Sequence, residues 1–227
     1  MDSSNLFLDL ILIVPPALLS LWAQFKVKST FDKYSKVQCS KGITGMAAAA
    51  LLMRTNNIND VQVEAVKGSL TDHYDPSAKK LRLSEPVYGS ASIAAVGVAA
   101  HETGHAIQHA LKWGPLVLRS TLVPVANIGS SMGPILAMAG LVFSNVLFNV
   151  GIILFSGAVL FYVVTLPVEF NASSRAIAIL RSNNVLTAEE LKGVKKVLTA
   201  AALTYVASAL TAIANLLRLI LMSKRRR

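Results

Sequence analysis

Four apolar runs constrain this chain more than any other feature. Leu6 to about Phe25, residues 115–142, residues 145–168 and Val197–Met222 carry at most one charged residue each. All are close to the length that crosses ~30 Å of hydrocarbon as a helix. Charged residues make up 15% of the chain, against 53% hydrophobic and a mean hydropathy of +0.54. A soluble domain carries about 25% charged residues. This chain cannot cover a water-exposed surface, and a bilayer is its expected solvent. Residues 145–168 (NVLFNVGIILFSGAVLFYVVTLPV) are the cleanest span. They follow 115–142 closely enough that the two predict a hairpin. Pro15-Pro16 predicts a kinked first span, because the freed carbonyls need other partners. A re-entrant piece within 115–142 and an incomplete crossing by 197–222 remain open.

Charge supports the same solvent. The chain has a formal charge of +10, with lysines at 26, 28, 33, 36 and 41 beside the first run and Lys224–Arg227 after the last. No aromatic-interleaved basic patch accompanies them, so lipid headgroups are the expected partner and nucleic acid is not. Cys39 is the single cysteine, which excludes an internal disulfide and a thiolate metal cluster. The N-terminal run lacks a basic start and a small-residue cleavage site, so it reads as a retained span rather than a signal peptide.

Between the spans lie two polar stretches. Residues 26–92 contain a short alanine-rich helix over 44–55 and two alternating segments, VQVEAV at 61–66 and KLRLS at 80–84, joined by a polar loop. Ala91 to about Leu111 then follows a helical pattern up to Pro115. The second polar stretch, 169–196, opens on a helix running out of the third span, breaks at Asn183-Asn184, and restarts at a capping box of Thr187 and Glu190. The resulting division is 1–25 first span, 26–114 catalytic lobe, 115–168 hairpin, 169–196 polar helix segment and 197–227 last membrane segment with basic tail. With the N-terminus outside, both polar stretches fall on the cytoplasmic side, as their lysines and arginines prefer; the basic tail conflicts unless the last segment stops short.

The chemistry-bearing motif is HETGH at 101–105, which fits H-E-x-x-H. Residues four apart share a helix face, so His101 and His105 can present two imidazoles to one zinc ion. Glu102 can reach a water beside that ion and take its proton, giving a nucleophile at neutral pH. An ordinary helix carrying two histidines is the bland alternative. Three of the four histidines, His101, His105 and His109, fall on one stripe, and Ala99, Ala100, Gly104 and Ala106 leave room for close approach. His109 lies eight residues past His101, about 12 Å along a straight helix, too far to share the ion, and is expected in a supporting or surface role. A catalytic zinc site usually takes three protein ligands and keeps an open position. Glu169, at the end of the third span, is the candidate third ligand, with an interfacial helix-end charge as the alternative.

These words, with LVPVANIGS at 122–130, TLPVEFNASSRA at 165–176 and KKVLTAAALTYVASAL at 195–210, give the chain a likeness over nearly its whole length. It resembles the membrane-bound neutral zinc metallopeptidase family typified by the YugP proteins of bacteria, and more distantly the HtpX and Ste24 membrane peptidases. The resemblance implies His101, His105 and Glu169 as zinc ligands and Glu102 as general base. In the distant relatives an aspartate follows the late glutamate by four positions and orients a ligand histidine; here Ser173 stands there, so Asn171 or Ser173 would have to support the ligands.

Weaker candidates complete the set. His73 is either a solvated loop histidine or a donor to the reaction's oxyanion. Arg175 is a headgroup-facing charge or a binder of a substrate carboxylate. Tyr74 and Tyr88 are carbonyl donors or packing groups. The strand at 80–84 would offer an edge for a peptide to extend. The expected fold is mainly α and membrane-embedded, with about four transmembrane helices and a small α+β zincin-like lobe. The expected function is a Zn2+-dependent endopeptidase acting on protein or peptide substrates at a bacterial cytoplasmic membrane, with its lobe inside. The alternative is a non-catalytic membrane scaffold that retains a zinc site. Gly129 and Gly133 would permit close helix packing in a homo-oligomer.

Overall fold

The computed structural model describes residues 3–224, with side chains from Phe7 onward. The part of the basic tail beyond Lys224 lies outside the described residues. The elements in order are α1 (Ser3–Tyr34), α2 (Gly45–Thr55), β1 (Gln62–Val66), β2 (His73–Asp75), β3 (Lys80–Ser84), α3 (Glu85–Tyr88), α4 (Ile93–Ala110), α5 (Gly114–Phe143), α6 (Asn145–Ser182) and α7 (Ala188–Lys224). Among the described residues, four helices (α1, α5, α6 and α7) are long and apolar enough to cross a membrane. The protein is an integral membrane protein with a small mixed α+β part. The chain divides into two compact units: residues 1–24, 117–167 and 203–227 form one, and residues 25–116 and 168–202 the other.

The first unit is built from apolar helices. Its core is Ala137, Phe148, Phe155, Ala158, Val159, Ala212 and Leu219. A Cβ on Gly129 would lie 2.1 Å from the Leu154 carbonyl oxygen, and one on Gly133 would lie 2.8 Å from the Phe155 Cβ. Both glycines are therefore spent on bringing α5 against α6 within the chain, not left for packing between copies. α5 and α6 follow one another with Ser144 between them, and residues 115–142 run as one continuous helix.

The second unit holds the sheet and α4. β3 is the central strand, parallel to β1 and antiparallel to β2. The edge expected at 80–84 is thus covered on both sides, and the free edges belong to β1 and β2. β2 itself falls in the segment read from sequence as a polar loop. It is three residues long, too short for a period-two pattern to show. Alternation sorts the two faces of β3: Leu81 and Leu83 are fully buried, while Arg82 points the other way. There Arg82 donates to Glu64 (2.6 Å) and to Asp75 (2.9 Å), and Lys80 to Glu64 (2.7 Å), which ties the three strands together. These neighbours hold the Glu64 carboxyl below the usual carboxylate range.

The buried face of the sheet packs with α4, which is the centre of this unit. Fourteen of its 18 residues are buried, so the helix is wrapped on all sides rather than along one stripe. Ser92 caps its start by accepting from the Ala95 amide. The chain leaving α1 clamps the same point, through Cys39 N to Ala91 O (2.9 Å) and Ile93 N to Val37 O (2.8 Å). A Cβ on Gly97 would meet Val194 of α7 at 3.0 Å. The capping box at the start of α7 forms as the sequence predicts, with Thr187 N donating to Glu190 (2.7 Å) and Glu190 N to Thr187 Oγ1 (3.3 Å). Asn183-Asn184 ends α6, with Asn184 at a φ of 52°. From Ala188 onward the amphipathic and apolar stretches run as one helix to Lys224.

Candidate metal centre

α4 presents His101 and His105 on one face, and α6 brings Glu169 to that face from 68 positions further along the chain. The Glu169 Oε2 lies 3.2 Å from His101 Nε2 and 3.6 Å from His105 Nε2. One ligand atom from each residue falls within 4.8 Å of the others. The two imidazoles meet edge to face, with centroids 4.8 Å apart and planes at 87°. This is the geometry of rings turned toward a shared point rather than stacked.

The residues fit a zinc ion on the chemistry of their environment. Glu169 is 2% exposed. An ionised carboxylate buried to that degree needs a cation beside it. Two imidazole nitrogens and one carboxylate oxygen are a donor set of catalytic zinc. Among the described residues the cluster holds three ligating groups, whereas structural zinc sites are normally closed with four. The triad can hold a zinc ion, and three protein ligands would leave one coordination position for a water or a substrate carbonyl.

The supporting contacts decide which ring nitrogen faces the metal. His101 Nδ1 lies 3.2 Å from Ser173 Oγ. His105 Nδ1 lies 3.0 Å from Gln108 Oε1. The Gln108 amide nitrogen donates to Val168 O (2.9 Å) and to Asn171 Oδ1 (3.0 Å), which identifies its oxygen as the acceptor. His105 Nδ1 therefore donates to Gln108, which turns Nε2 toward Glu169 and leaves it free to ligate a cation held between them. Ser173 likewise meets the Nδ1 side of His101, and its hydroxyl can either donate or accept there. Asn171 is held in turn by Arg175 Nε at 2.7 Å. Gln108 is fully buried and bridges α4 to α6. The sequence reading passed over it, although it stands three residues after a ligand on the same helix and was reachable by that spacing.

Close approach of the two helices makes these contacts available. A Cβ on Gly104 would lie 2.6 Å from the Ala172 carbonyl oxygen, so only glycine admits α6 at this distance. Glu102 is 7% exposed, on the position after the first ligand. The structure places the remaining candidates elsewhere. His109 pairs with the Tyr74 hydroxyl at 2.8 Å, joining α4 to β2. Burial, with Asp60 and Asp75 nearby, pushes the Tyr74 phenol up to about 12. His73 is exposed on β2, with Nδ1 2.8 Å from Thr71 O and its other nitrogen 3.4 Å from Arg82, and is not part of the cluster.

Four apolar helices together with a buried His-His-Glu centre define a membrane-embedded metallohydrolase. Residues 9–224 match the family described as "Putative neutral zinc metallopeptidase". The chain is 53% identical over 204 residues to the "Putative membrane protease YugP" of Bacillus subtilis (strain 168), covering 89% of this chain and 91% of that protein. No solved structure matches. The chain belongs to this neutral zinc metallopeptidase family.

Proposed function

We propose that this membrane zinc metallopeptidase cleaves peptide bonds within protein or peptide substrates, with Glu102 as its general base and acid. The observation that carries the proposal is the three-ligand cluster with a buried glutamate beside the first ligand. Zinc, when bound, supplies Lewis acidity that polarises the scissile carbonyl and acidifies a water. His101, His105 and Glu169 hold the ion. Ser173 and Gln108 fix the two imidazoles with their Nε2 atoms inward. Glu102 accepts the proton of the attacking water on its carboxylate and delivers it to the leaving amine. The buried surroundings of Glu102 and His105 exclude bulk water, so charge developing there is screened less than at a surface.

Chelation tests the metal requirement. Protein purified in detergent is expected to digest an unfolded protein substrate, to lose that activity with a zinc chelator, and to regain it on adding zinc alone. Activity unaffected by complete, measured zinc removal would sink the proposal.

Gln108 gives a second test. Replacing a group that orients a zinc-bound histidine typically weakens the metal by ~10–100-fold. Gln108→Leu keeps the volume near constant and is expected to lower zinc affinity within that range, read by competition with a chromophoric chelator. Wild-type affinity would remove Gln108 from the ligand support.

The polar segments, with Lys26, Lys28, Lys33, Lys36 and Lys41 near the end of α1, support a cytoplasmic location for the lobe in a bacterial cytoplasmic membrane. Cys39 is buried, so a cysteine introduced at exposed Ser69 can be labelled selectively. Ser69→Cys is expected to resist a membrane-impermeant maleimide in intact spheroplasts and to react after permeabilisation. Labelling in intact spheroplasts would place the lobe outside.

A further inference from the structure

In the first unit, α1, α5, α6 and α7 line an open cavity of about 490 Å³ whose lining includes none of the ligands named above. Its size lies in the range of small-molecule sites, ~300–1,000 Å³. Pro134, Met138, Phe155 and Leu219 give it an apolar wall, and Asn215 and Arg218 form a polar end one helical turn apart on α7. Three hydroxyls of the lining bond within their own helices: Ser20 donates to Pro16 O (2.9 Å), Ser208 to Thr204 O (2.9 Å) and Thr211 to Ala207 O (2.8 Å). Arg218 is different. Among the described residues, its Nε is the one buried side-chain nitrogen or oxygen with no hydrogen-bond partner. Asp9 forms an ion pair with it at 4.0 Å, which supplies a counter-charge but is too long for a hydrogen bond.

A buried N–H without an acceptor costs ~1–3 kcal/mol, more on a charged group. A cationic side chain within a membrane-spanning segment is costly again, and such residues mark binding sites or pathways. The Asp9 ion pair leaves the Nε hydrogen without an acceptor, a place that a phosphate oxygen at hydrogen-bond distance would fill. Six residues separate Arg218 from the end of α7 at Lys224, ~9 Å of helical rise, which places it near the membrane surface. Phosphodiesters lie at that level, and an apolar wall continues from the same cavity. A guanidinium matches phosphate oxygens in its planar fork.

We propose that this cavity binds a phospholipid, with its phosphodiester accepting from Arg218 and an acyl chain against Met138 and Phe155. The lipid is a structural ligand of the membrane-spanning unit, and its binding does not depend on the assignment of Glu102.

The test uses full-length, zinc-loaded protein, delipidated in a phosphate-free detergent and titrated with short-chain phosphatidylglycerol by calorimetry. Saturable binding is expected. Arg218→Gln should weaken it by ~10-fold or more, from loss of a charged hydrogen-bond donor. Met138→Trp, which fills the wall and keeps the guanidinium, should weaken it as well, and it carries the test if Arg218→Gln fails to retain zinc. Diacylglycerol with the same tails should bind more weakly, and inorganic phosphate should not compete. Equal binding by wild type and both variants, equal binding of diacylglycerol, or absence of saturable binding would each overturn the proposal. Displacement by inorganic phosphate would show a free-anion site instead. A lipid-independent change of oligomeric state in Arg218→Gln would show that a second copy fills the cavity.

Discussion

Glu102→Gln protein is expected to retain its zinc and lose peptidase activity by ~10²–10⁴-fold, the range for removing a general acid–base group. Glutamine keeps the size and hydrogen-bonding shape of glutamate but cannot take a proton at neutral pH. Glu102 is not a member of the ligand cluster, so metal content should hold near the wild-type ratio. The loss should appear in kcat, because the proton transfer occurs in the transition state and not in substrate binding. Undiminished activity in material proven free of wild-type protein and of contaminating peptidase would refute the role of Glu102. Zinc loss on its own would instead mean that the glutamate supports the metal. The two results are separated by measuring zinc and turnover on the same preparation.

The second large effect comes from a residue that touches neither metal nor substrate. Gly104→Val is expected to abolish measurable zinc retention through metal-affinity purification and dialysis. A single Cβ at this position would already sit 2.6 Å from the Ala172 carbonyl oxygen, which is backbone and cannot rotate away. α6 would have to retreat from α4, carrying Glu169, Asn171 and Ser173 with it. Small residues are what let two helices approach to this extent. Glu169 and the Ser173 contact to His101 would move away together, and Gln108 would lose its anchors on Val168 and Asn171, so the loss should exceed that of Gln108→Leu, which removes one contact. Gly104→Ala should be intermediate. A valine variant with full zinc and activity would show that the helices tolerate the separation and that the close approach is not what assembles the site.

Much of this protein is legible along the chain because its signals are local. Apolar length predicts the four long helices, and the i, i+4 spacing predicts that His101 and His105 share a face. The capping box marks the start of α7, since Thr187 and Glu190 bond each other within one turn. The segments that sequence misjudges are those whose structure is decided by distant partners. β2 exists because Arg82 and Leu81 on β3 supply its pairing, and nothing within three residues announces that. The strand at 80–84 looks the same whether it is an edge or the centre of a sheet, so only pairing on both sides settles its place.

The metal centre divides in the same way. The sequence by itself determines two ligands and the neighbouring glutamate, because a helix of fixed pitch places them. Glu169 was a candidate with an ordinary alternative until the fold carried it to within 3.2 Å of His101. The support of the histidines was only partly local. Gln108 reaches His105 from three residues along the same helix, whereas Ser173 reaches His101, and Val168 and Asn171 anchor Gln108, because Gly104 lets α6 lie against α4. Gly129 and Gly133 could have served contacts within the chain or between copies, and the backbone of α6 lying against them decides for the former. Helical periodicity is written in nearest neighbours, whereas a ligand set drawn from two helices depends on how closely their backbones pack.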